Sequence, residues 1–341
     1  MIQDALQRLL DGRNLDRTEA REVMAEIMRG EATPAQIGGF LVALRAKGET
    51  AAEIAGCAEA MRAHVLAVTP GRDDLVDTAG TGGDGAHTIN ISTAAALVAA
   101  AAGAAVAKHG NRAVSSACGS ADVLEALGFA LEQEPARIAQ SIDELGFGFL
   151  FAPAHHPAMR HAAPVRKELA TRTVFNVLGP LTNPAGARAQ VVGVYSEQLV
   201  RTIADVLAQL GARRAYVVHG AGGIDELSPV GPNLVAEVVD GSVRERTLDP
   251  ERELGLPRCS VQELRGGTPA ENAAAVRAVF DGADGGRRNA VLLNAAGAIA
   301  AAGHAADLRE GLELARETVD SGAAAERLEQ LVAFSRAAVT T

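Results

Sequence analysis

The chain has 341 residues, a formal net charge of −10 and only 3% aromatic side chains. A chain of this length can bury a full core as one large domain or as two moderate ones, and without tryptophan that core must be aliphatic. The net negative charge argues against a nucleic-acid-binding surface, which normally carries a basic stripe, but it does not exclude a local cationic pocket.

The cysteines and the apolar runs predict the compartment. Cys57, Cys118 and Cys259 are isolated and odd in number, which indicates a reducing cytosol and no disulfide framework or zinc site. The longest run of apolar residues and glycine, 94–107, has 14 residues and is too short to span a bilayer. The first residues lack the basic and apolar blocks of a secretory signal. We therefore expect a cytoplasmic protein without a membrane or nucleic-acid partner.

Helix signals dominate the start of the chain. Asp16, Thr33 and Thr50 each precede a Glu or Gln by three residues, which is the pattern of a capping box. Residues 1–70 are therefore expected to form a small helical domain, joined by a helix around 155–185. Its leftover apolar surface favours packing on a larger domain or on a second copy of the chain. The predicted helices are 2–11, 17–29, 34–47 and 51–66.

After Pro70 short aliphatic strands alternate with helices. This alternation predicts an α/β domain over 71–341, with a mainly parallel central sheet covered on both faces and with C-terminal helices from about 268 to 338. Asp240-Gly241 lies between two alternating segments and predicts an antiparallel hairpin. The other predicted strands are 75–77, 105–107, 147–151, 190–195 and 215–219.

A glycine turn follows the first predicted strand, with the sequence Asp77-Thr-Ala-Gly-Thr-Gly-Gly-Asp-Gly85. Glycine permits positive φ angles and close backbone approach, and a strand-to-helix turn exposes N–H groups that bind anions. Asp84 follows Gly83, so neither the Walker A loop nor the dinucleotide fingerprint fits. Such a turn alone is as often a tight connection. The hydroxyl-rich run 88–93 and a later segment with two cations, Lys108 and Arg112, favour a multiply phosphorylated ligand.

Three motifs follow predicted parallel strands and are expected at one edge of the sheet. The glycine turn follows 75–77, Lys108 follows 105–107, and Asp225-Glu226 follows 215–219. Mg²⁺ commonly bridges a diphosphate to one or two carboxylates. In isolation an acidic pair is more often a solvated dipeptide. Its position after a buried strand at the ligand edge favours a metal role.

These motifs, with Arg166 and the segment 176–184, closely resemble the anthranilate phosphoribosyltransferase family over nearly the whole chain. Pyrimidine nucleoside phosphorylases of the wider family have a second glycine where this chain has Asn111, and that difference favours the anthranilate branch. The resemblance implies transfer of the phosphoribosyl group of 5-phosphoribosyl 1-diphosphate to the amine of anthranilate, with Mg²⁺, in a homodimer formed through the N-terminal helices.

The resemblance also implies the site residues. No acid–base residue is assigned, because the aryl amine is already a neutral nucleophile and no protein nucleophile is required. Phosphoribosyl diphosphate is assigned to Gly80, Gly83, Asp84, Thr88, Asn90, Ile91, Ser92, Thr93, Lys108, Ser116 and Ser120. Anthranilate is assigned to Gly80, Asn111 and Arg166, and Mg²⁺ to Ser92, Asp225 and Glu226.

Several alternatives remain open from the sequence. Ser92 also fits an ordinary helix N-cap. Arg166 also fits a surface helix, kinked at Pro164, on which it pairs with a glutamate. Packing is favoured over metal binding for His155, His156 and His161, and His109 has no assigned role. The rival functions are a nucleoside phosphorylase and a non-catalytic nucleic-acid-binding relative.

Overall fold

A seven-stranded sheet organises the larger part of the computed structural model, which describes residues 1–113 and 117–337. The strand order is β3-β2-β1-β4-β5-β6-β7. The first five strands pair in parallel, and β6 and β7 are antiparallel, so the predicted mainly parallel sheet and the hairpin at Asp240-Gly241 are confirmed. The strands are β1 (Val76–Gly80), β2 (Val106–Gly110), β3 (Phe147–Phe151), β4 (Ala189–Gly193), β5 (Arg214–His219), β6 (Asn233–Val239) and β7 (Ser242–Leu248).

Seventeen α-helices surround the sheet and form the N-terminal bundle in the described part of the chain, with short 3-10 turns at 157–161 and 179–181. They are α1 (Ile2–Leu10), α2 (Arg17–Met28), α3 (Pro34–Lys47), α4 (Ala51–Arg62), α5 (Ile91–Ala101), α6 (Ser120–Leu127), α7 (Pro135–Leu145), α8 (Ala152–His155), α9 (Ala163–Leu169), α10 (Phe175–Leu178), α11 (Gln198–Gln209), α12 (Pro250–Leu254), α13 (Val261–Leu264), α14 (Pro269–Phe280), α15 (Gly286–Ala302), α16 (Leu308–Asp320) and α17 (Ala323–Arg336). None of the helices in the described ranges is long and apolar enough to cross a membrane.

The N-terminal helices begin where the capping signals predict. Asp16, Thr33 and Thr50 each form a complete capping box. The predicted helix 51–66 is too long, because α4 ends at Arg62. Leu66 leaves the helix because its N–H donates to the carbonyl of His155 at 2.8 Å, a tertiary contact that no local pattern shows.

Apolar side chains of alternating strand residues fill a core on each face of the sheet. On one face, β-strand residues such as Val191 and Val218 pack with α5, α15 and the last helices. On the other face, Val192 and Val217 share a core with α1 to α4, α9 and α11. The small N-terminal bundle therefore completes its core against the α/β part of the same chain. This packing buries much of the apolar surface that four helices alone would leave exposed.

The segment between β3 and β4 connects the two parts through short helical turns. The expected helix around 155–185 is divided into α8, α9, α10 and the two 3-10 turns. Pro164 lies in the first turn of α9 and does not kink a longer helix, because proline lacks an N–H and fits that position. α9 packs on α3, where the Cγ1 atom of Val165 would lie 3.6 Å from a Cβ on Gly38.

Candidate active site

The glycine turn leaves β1 with several backbone donors free. Gly82, Gly83 and Gly85 have φ angles of 66°, 78° and 74°, a region that other residues rarely adopt. The N–H of Gly82 donates to Asp225. Within the described ranges, the N–H groups of Gly83, Asp84 and Gly85 have no protein acceptor. Such a run of open donors suits an anionic ligand.

The N-terminus of α5 continues this polar surface. α5 begins at Ile91, and Ser92 lies inside the helix, so the interpretation of Ser92 as an N-cap is wrong. Its N–H donates to Oε1 of Glu226 at 3.2 Å, and its Oγ accepts from Nζ of Lys108 at 3.3 Å. The Oγ1 of Thr93 is buried and has no partner among the described residues. A buried hydroxyl without a partner is costly unless a ligand or water supplies one.

The loop after β5 brings two consecutive carboxylates to the glycine turn and to α5. Oδ2 of Asp225 accepts the N–H of Gly82 at 2.6 Å, and the N–H of Asp225 donates to Asp84 at 3.3 Å. Burial, Glu226 and Asp84 raise the pKa of Asp225 well above its usual range. Burial also raises the pKa of Glu226 to about 7. Burial and nearby negative charge therefore disfavour the ionised forms of Asp225 and Glu226.

This donor set fits a divalent cation. Mg²⁺ would relieve the carboxylate repulsion, and the Ser92 hydroxyl lies on the same surface as Asp225 and Glu226. Across residues 1–113 and 117–337, no group of three or more His, Cys, Asp or Glu side chains is arranged as a closed metal site. A cation here would take its remaining ligands from water or a diphosphate, as Mg²⁺ usually does.

Lys108 lies beneath this surface as a buried counter-charge. Its side chain is 1% exposed, and its ammonium contacts the carbonyl and hydroxyl of Thr78 as well as Ser92. Burial lowers the pKa of Lys108, while Asp77 and Glu226 favour its charged form. Burial raises the pKa of Asp77 to about 6, and the positive charge of Lys108 opposes that shift. The ammonium is therefore held in place before any ligand enters.

The segment after β2 supplies the other predicted contacts. Asn111 is exposed, and its carbonyl accepts from Oγ of Ser120 at 3.3 Å at the start of α6. Arg112, the second predicted cation, pairs with Asp122 and Glu125 and so is not free to face the glycine turn. Ser116 lies outside the described residues.

The remaining predicted contacts lie between the glycine turn and α5. Thr88 forms an antiparallel bridge with Arg265, and Ile91 is 1% exposed. Asn90 occupies the N-cap position of α5 but does not cap the helix with its side chain. Its amide instead bonds to Cys118 and to Asn272. This segment is therefore fixed partly by residues of the C-terminal half.

Arg166 lies on α9, and its charge is unpaired among the described residues. In the described part of the chain no carboxylate pairs with its half-buried guanidinium, which stands 5.0 Å from the ring centre of Phe175. Burial lowers its pKa. The alternative of a surface arginine paired with glutamate is wrong. A half-buried cation without a partner suits an anionic ligand, and the two parallel donors of guanidinium match a carboxylate.

Two features near the site escaped the sequence reasoning. Arg172 donates to the carbonyl of Gly83 at 2.5 Å and stands 3.9 Å from the ring centre of Tyr195, so it joins the segment between β3 and β4 to the glycine turn. Nδ1–H of His109 donates to the carbonyl of Gly179, and Nε2 of His109 therefore accepts from Nε2–H of His156 at 3.1 Å. These contacts join distant segments, so no local motif signals them.

The predicted packing roles of the other histidines agree with their surroundings. Nδ1 of His155 bonds to the carbonyl of Leu66 at 2.8 Å, and the ring of His161 lies against Gly30. Burial lowers the pKa of His109 to about 3 and that of His156 to about 4, so this pair is neutral at pH 7.

Comparison with known proteins places this architecture among characterised enzymes. Residues 3–65 match the helical bundle domain of a glycosyl transferase family, and residues 72–325 match its a/b domain. An anthranilate phosphoribosyltransferase of Anaeromyxobacter dehalogenans is 56% identical over 333 residues, which are 98% of each chain. The crystal structure of the Thermus thermophilus anthranilate phosphoribosyltransferase has a TM-score of 0.93 and 52% identity, and the match covers 98% of this chain and 100% of that one.

A more distant solved structure carries ligands. The anthranilate phosphoribosyltransferase of Saccharomyces cerevisiae in complex with PRPP and Mg has a TM-score of 0.88 and 28% identity, and the match covers 98% of this chain and 97% of that one. The helical bundle and the α/β domain thus define a glycosyl transferase of the two-domain type. Within that class, the chain belongs to the anthranilate phosphoribosyltransferase family.

Proposed function

We propose that this enzyme transfers the phosphoribosyl group of 5-phosphoribosyl 1-diphosphate to the amine of anthranilate, in tryptophan biosynthesis. The products are N-(5-phosphoribosyl)anthranilate and pyrophosphate. The observation that carries the proposal is the convergence of the open N–H groups of the glycine turn with the buried Lys108 and the Asp225-Glu226 loop. Donors, a fixed cation and a carboxylate pair at one edge of the sheet suit a diphosphate with its metal.

The diphosphate end is assigned to three groups of residues. The N–H groups after Gly82 and the N-terminal end of α5 bind phosphoryl oxygens, and Lys108 contributes positive charge from the buried side of the site. Ser92, Asp225 and Glu226 are the residues that would hold Mg²⁺, which would neutralise charge on the departing pyrophosphate. The same residues orient the ribose, so catalysis rests mainly on positioning and electrostatics. The remaining contacts are assigned to Gly80, Asp84, Thr88, Asn90, Ile91, Thr93, Ser116 and Ser120.

The anthranilate end is assigned to Gly80, Asn111 and Arg166. Arg166 is the half-buried guanidinium without a carboxylate partner among the described residues, which supports a role in holding the anthranilate carboxylate. The aryl amine attacks C1 of the ribose as the bond from C1 to pyrophosphate breaks, and the amine proton is lost to solvent or to the departing pyrophosphate. This step needs no protein nucleophile.

The decisive experiment mixes the protein, anthranilate, phosphoribosyl diphosphate and Mg²⁺ and follows the loss of anthranilate fluorescence. We expect the loss only when all four components are present, with pyrophosphate formed in equal amount. Thymidine and phosphate should release no free base. Turnover of thymidine without any use of anthranilate would assign the chain to the phosphorylase branch.

We also propose a homodimer in the cytoplasm, with residues 1–70 as the dimer-forming domain and 71–341 as the catalytic domain. Leu10 on α1 and Val42 on α3 are 67% and 46% exposed, unusually high for large apolar side chains. Both belong to the N-terminal helices. A second copy of the chain that packs on these helices would cover both side chains.

A further inference from the structure

Asn272 on α14 is a buried amide that reaches the substrate-binding segment from a distant part of the chain. Its side chain is 2% exposed, and its Nδ2 donates to Oδ1 of Asn90 at 2.9 Å across 182 residues of sequence. α14 itself lies outside the motifs that the sequence singles out. A buried amide must find partners for both of its ends, so its contacts are informative.

The hydrogen bonds define which way the Asn272 amide points. The backbone N–H of Gly267 is an obligatory donor, and it bonds to Oδ1 of Asn272 at 2.8 Å. The other end of Asn272 is therefore Nδ2, which can only donate. Asn90 must then present its Oδ1 to Asn272. The Sγ of Cys118 donates to the same Oδ1 at 3.3 Å.

The orientation of Asn90 follows from these contacts. Its Nδ2 is turned away from Asn272 and donates one hydrogen to the carbonyl of Cys118 at 3.1 Å. An amide nitrogen carries two hydrogens, so a second one remains available. Asn90 thus keeps a donor for a phosphoribosyl diphosphate oxygen. A flipped amide would present a carbonyl oxygen to the same anion.

The backbone around Asn272 reinforces this arrangement. The N–H of Ile89 donates to the carbonyl of Leu264, and the N–H of Gly266 donates to the carbonyl of His87, both at 2.9 Å. A Cβ on Gly266 would lie 2.5 Å from Oδ1 of Asn272, so the amide packs directly on this backbone. The segment before α5 is therefore held by the turn before α14.

We infer that Asn272 is a positioning residue: it fixes the amide of Asn90 with its donor end toward phosphoribosyl diphosphate. The inference rests on the proposed function, because it takes Asn90 as a contact of that substrate. Asn272 reaches the substrate through Asn90, and its loss should weaken phosphoribosyl diphosphate binding and leave the use of anthranilate almost unchanged.

The test is a double-mutant cycle on the whole enzyme, with Asn90→Ala, Asn272→Ala and the double variant. Calorimetric titration with phosphoribosyl diphosphate and Mg²⁺, without anthranilate, measures the dissociation constant. We expect Asn272→Ala alone to raise it about three- to tenfold, and to change it less than about twofold when Asn90 is already alanine. The inference would be overturned if Asn272→Ala raised the dissociation constant by the same factor in the wild type and in the Asn90→Ala variant.

Further variants separate positioning from folding. Asn272→Asp keeps the acceptor for Gly267 but cannot donate to Asn90 when ionised. It should weaken binding at pH 8, and binding relative to the wild type should partly recover at pH 5.5, where more of the carboxyl is protonated and can donate. Asn289→Asp, on a partly exposed amide bonded to Pro257, is the matched control and should bind normally.

Two further results would overturn the inference. One is an Asn272→Asp variant with unchanged binding at pH 8, and the other is equal loss in the affinities for both substrates. A wild-type protein that binds phosphoribosyl diphosphate but does not consume anthranilate would contradict the proposed function. The double-mutant cycle would still test the role of Asn272, because it measures binding without anthranilate.

Discussion

The carboxylate of Asp225 accepts the backbone N–H of Gly82 at 2.6 Å, which joins two loops 143 residues apart in the sequence. Two other glycines leave room for this contact. A Cβ on Gly80 would lie 2.4 Å from Oδ2 of Asp225, and one on Gly193 would lie 1.5 Å from its carbonyl oxygen. The acidic loop can therefore approach the glycine turn only because Gly80 and Gly193 have no Cβ.

Gly80→Ala should displace the Asp225 carboxylate, because an added Cβ meets it at 2.4 Å. We expect a large loss of turnover and a loss of about 1–3 kcal/mol in the free energy of unfolding. Steady-state kinetics and chemical denaturation measure the two effects. Gly38→Ala is the control, because its Cβ would meet only Val165 at 3.6 Å, and it should keep full activity. Normal turnover of Gly80→Ala would contradict the steric argument.

Replacing Asp225 and Glu226 with Asn and Gln should remove most turnover without unfolding the protein. The change removes charge but little volume, and the buried carboxylates repel each other in the absence of a cation. The melting temperature without ligand should stay the same or rise. Raising Mg²⁺ should restore part of the activity, since a diphosphate can carry the cation into the site. Unchanged activity at limiting Mg²⁺ would exclude a metal role for the pair.

Arg166→Ala should mainly impair the use of anthranilate. Loss of a charged hydrogen bond should remove about 1.5–3 kcal/mol of transition-state stabilisation, measured as a lower kcat/KM for anthranilate. Phosphoribosyl diphosphate binding should change little. Lys167→Ala, which alters the exposed neighbour on the same helix, should be nearly silent. If both substrates are affected equally, Arg166 organises the site and does not bind the anthranilate carboxylate.

Folded and unfolded states should differ in proton binding at Glu226. Its pKa rises from 4.5 to about 7 on folding, so between these values the folded protein holds a proton that the unfolded chain has lost. The free energy of unfolding should therefore fall as pH rises from about 4.5 to 7, and this loss should persist above pH 7. The lowered pKa values of His109 and His156 act in the opposite direction, with stability lost as pH falls below about 6.5.

Denaturation of the wild type and of Glu226→Gln across pH 5 to 8 isolates the carboxylate, because the histidines are common to both proteins. The stability of the wild type relative to the variant should decrease toward pH 8. A difference that stays constant with pH would show that Glu226 titrates normally in the folded protein.

Light scattering should report about twice the 35.0 kDa chain mass at micromolar concentration. Leu10→Glu combined with Val42→Glu should shift the protein toward the monomer, because each change places a charge on the proposed apolar interface. Val239→Glu is a matched control, since Val239 is also 46% exposed but lies on β6. Dissociation by the control alone would place the interface elsewhere.

Local patterns were sufficient for the elements and for much of the site. The capping boxes of Asp16, Thr33 and Thr50, the strand 147–151 and the hairpin at Asp240-Gly241 depend on neighbours in sequence and were predictable. The end of α4 and the contacts of Arg172 and Asn272 depend on partners in other segments. The cap alternative for Ser92 fails because α5 begins at Ile91, with Asn90 at the N-cap position, while Ser92 contacts Glu226 and Lys108.

β7, one of the two edge strands of the sheet, limits how copies of this protein can associate. Its exposed residues include Arg244 and Glu245, and Arg246 is paired with Glu237 and Glu253. A strand added from another molecule would have to strip water from this row of charges, which disfavours edge-to-edge growth and fibre formation. A high concentration of the enzyme should therefore be tolerated without strand addition at β7, which leaves other surfaces for self-association.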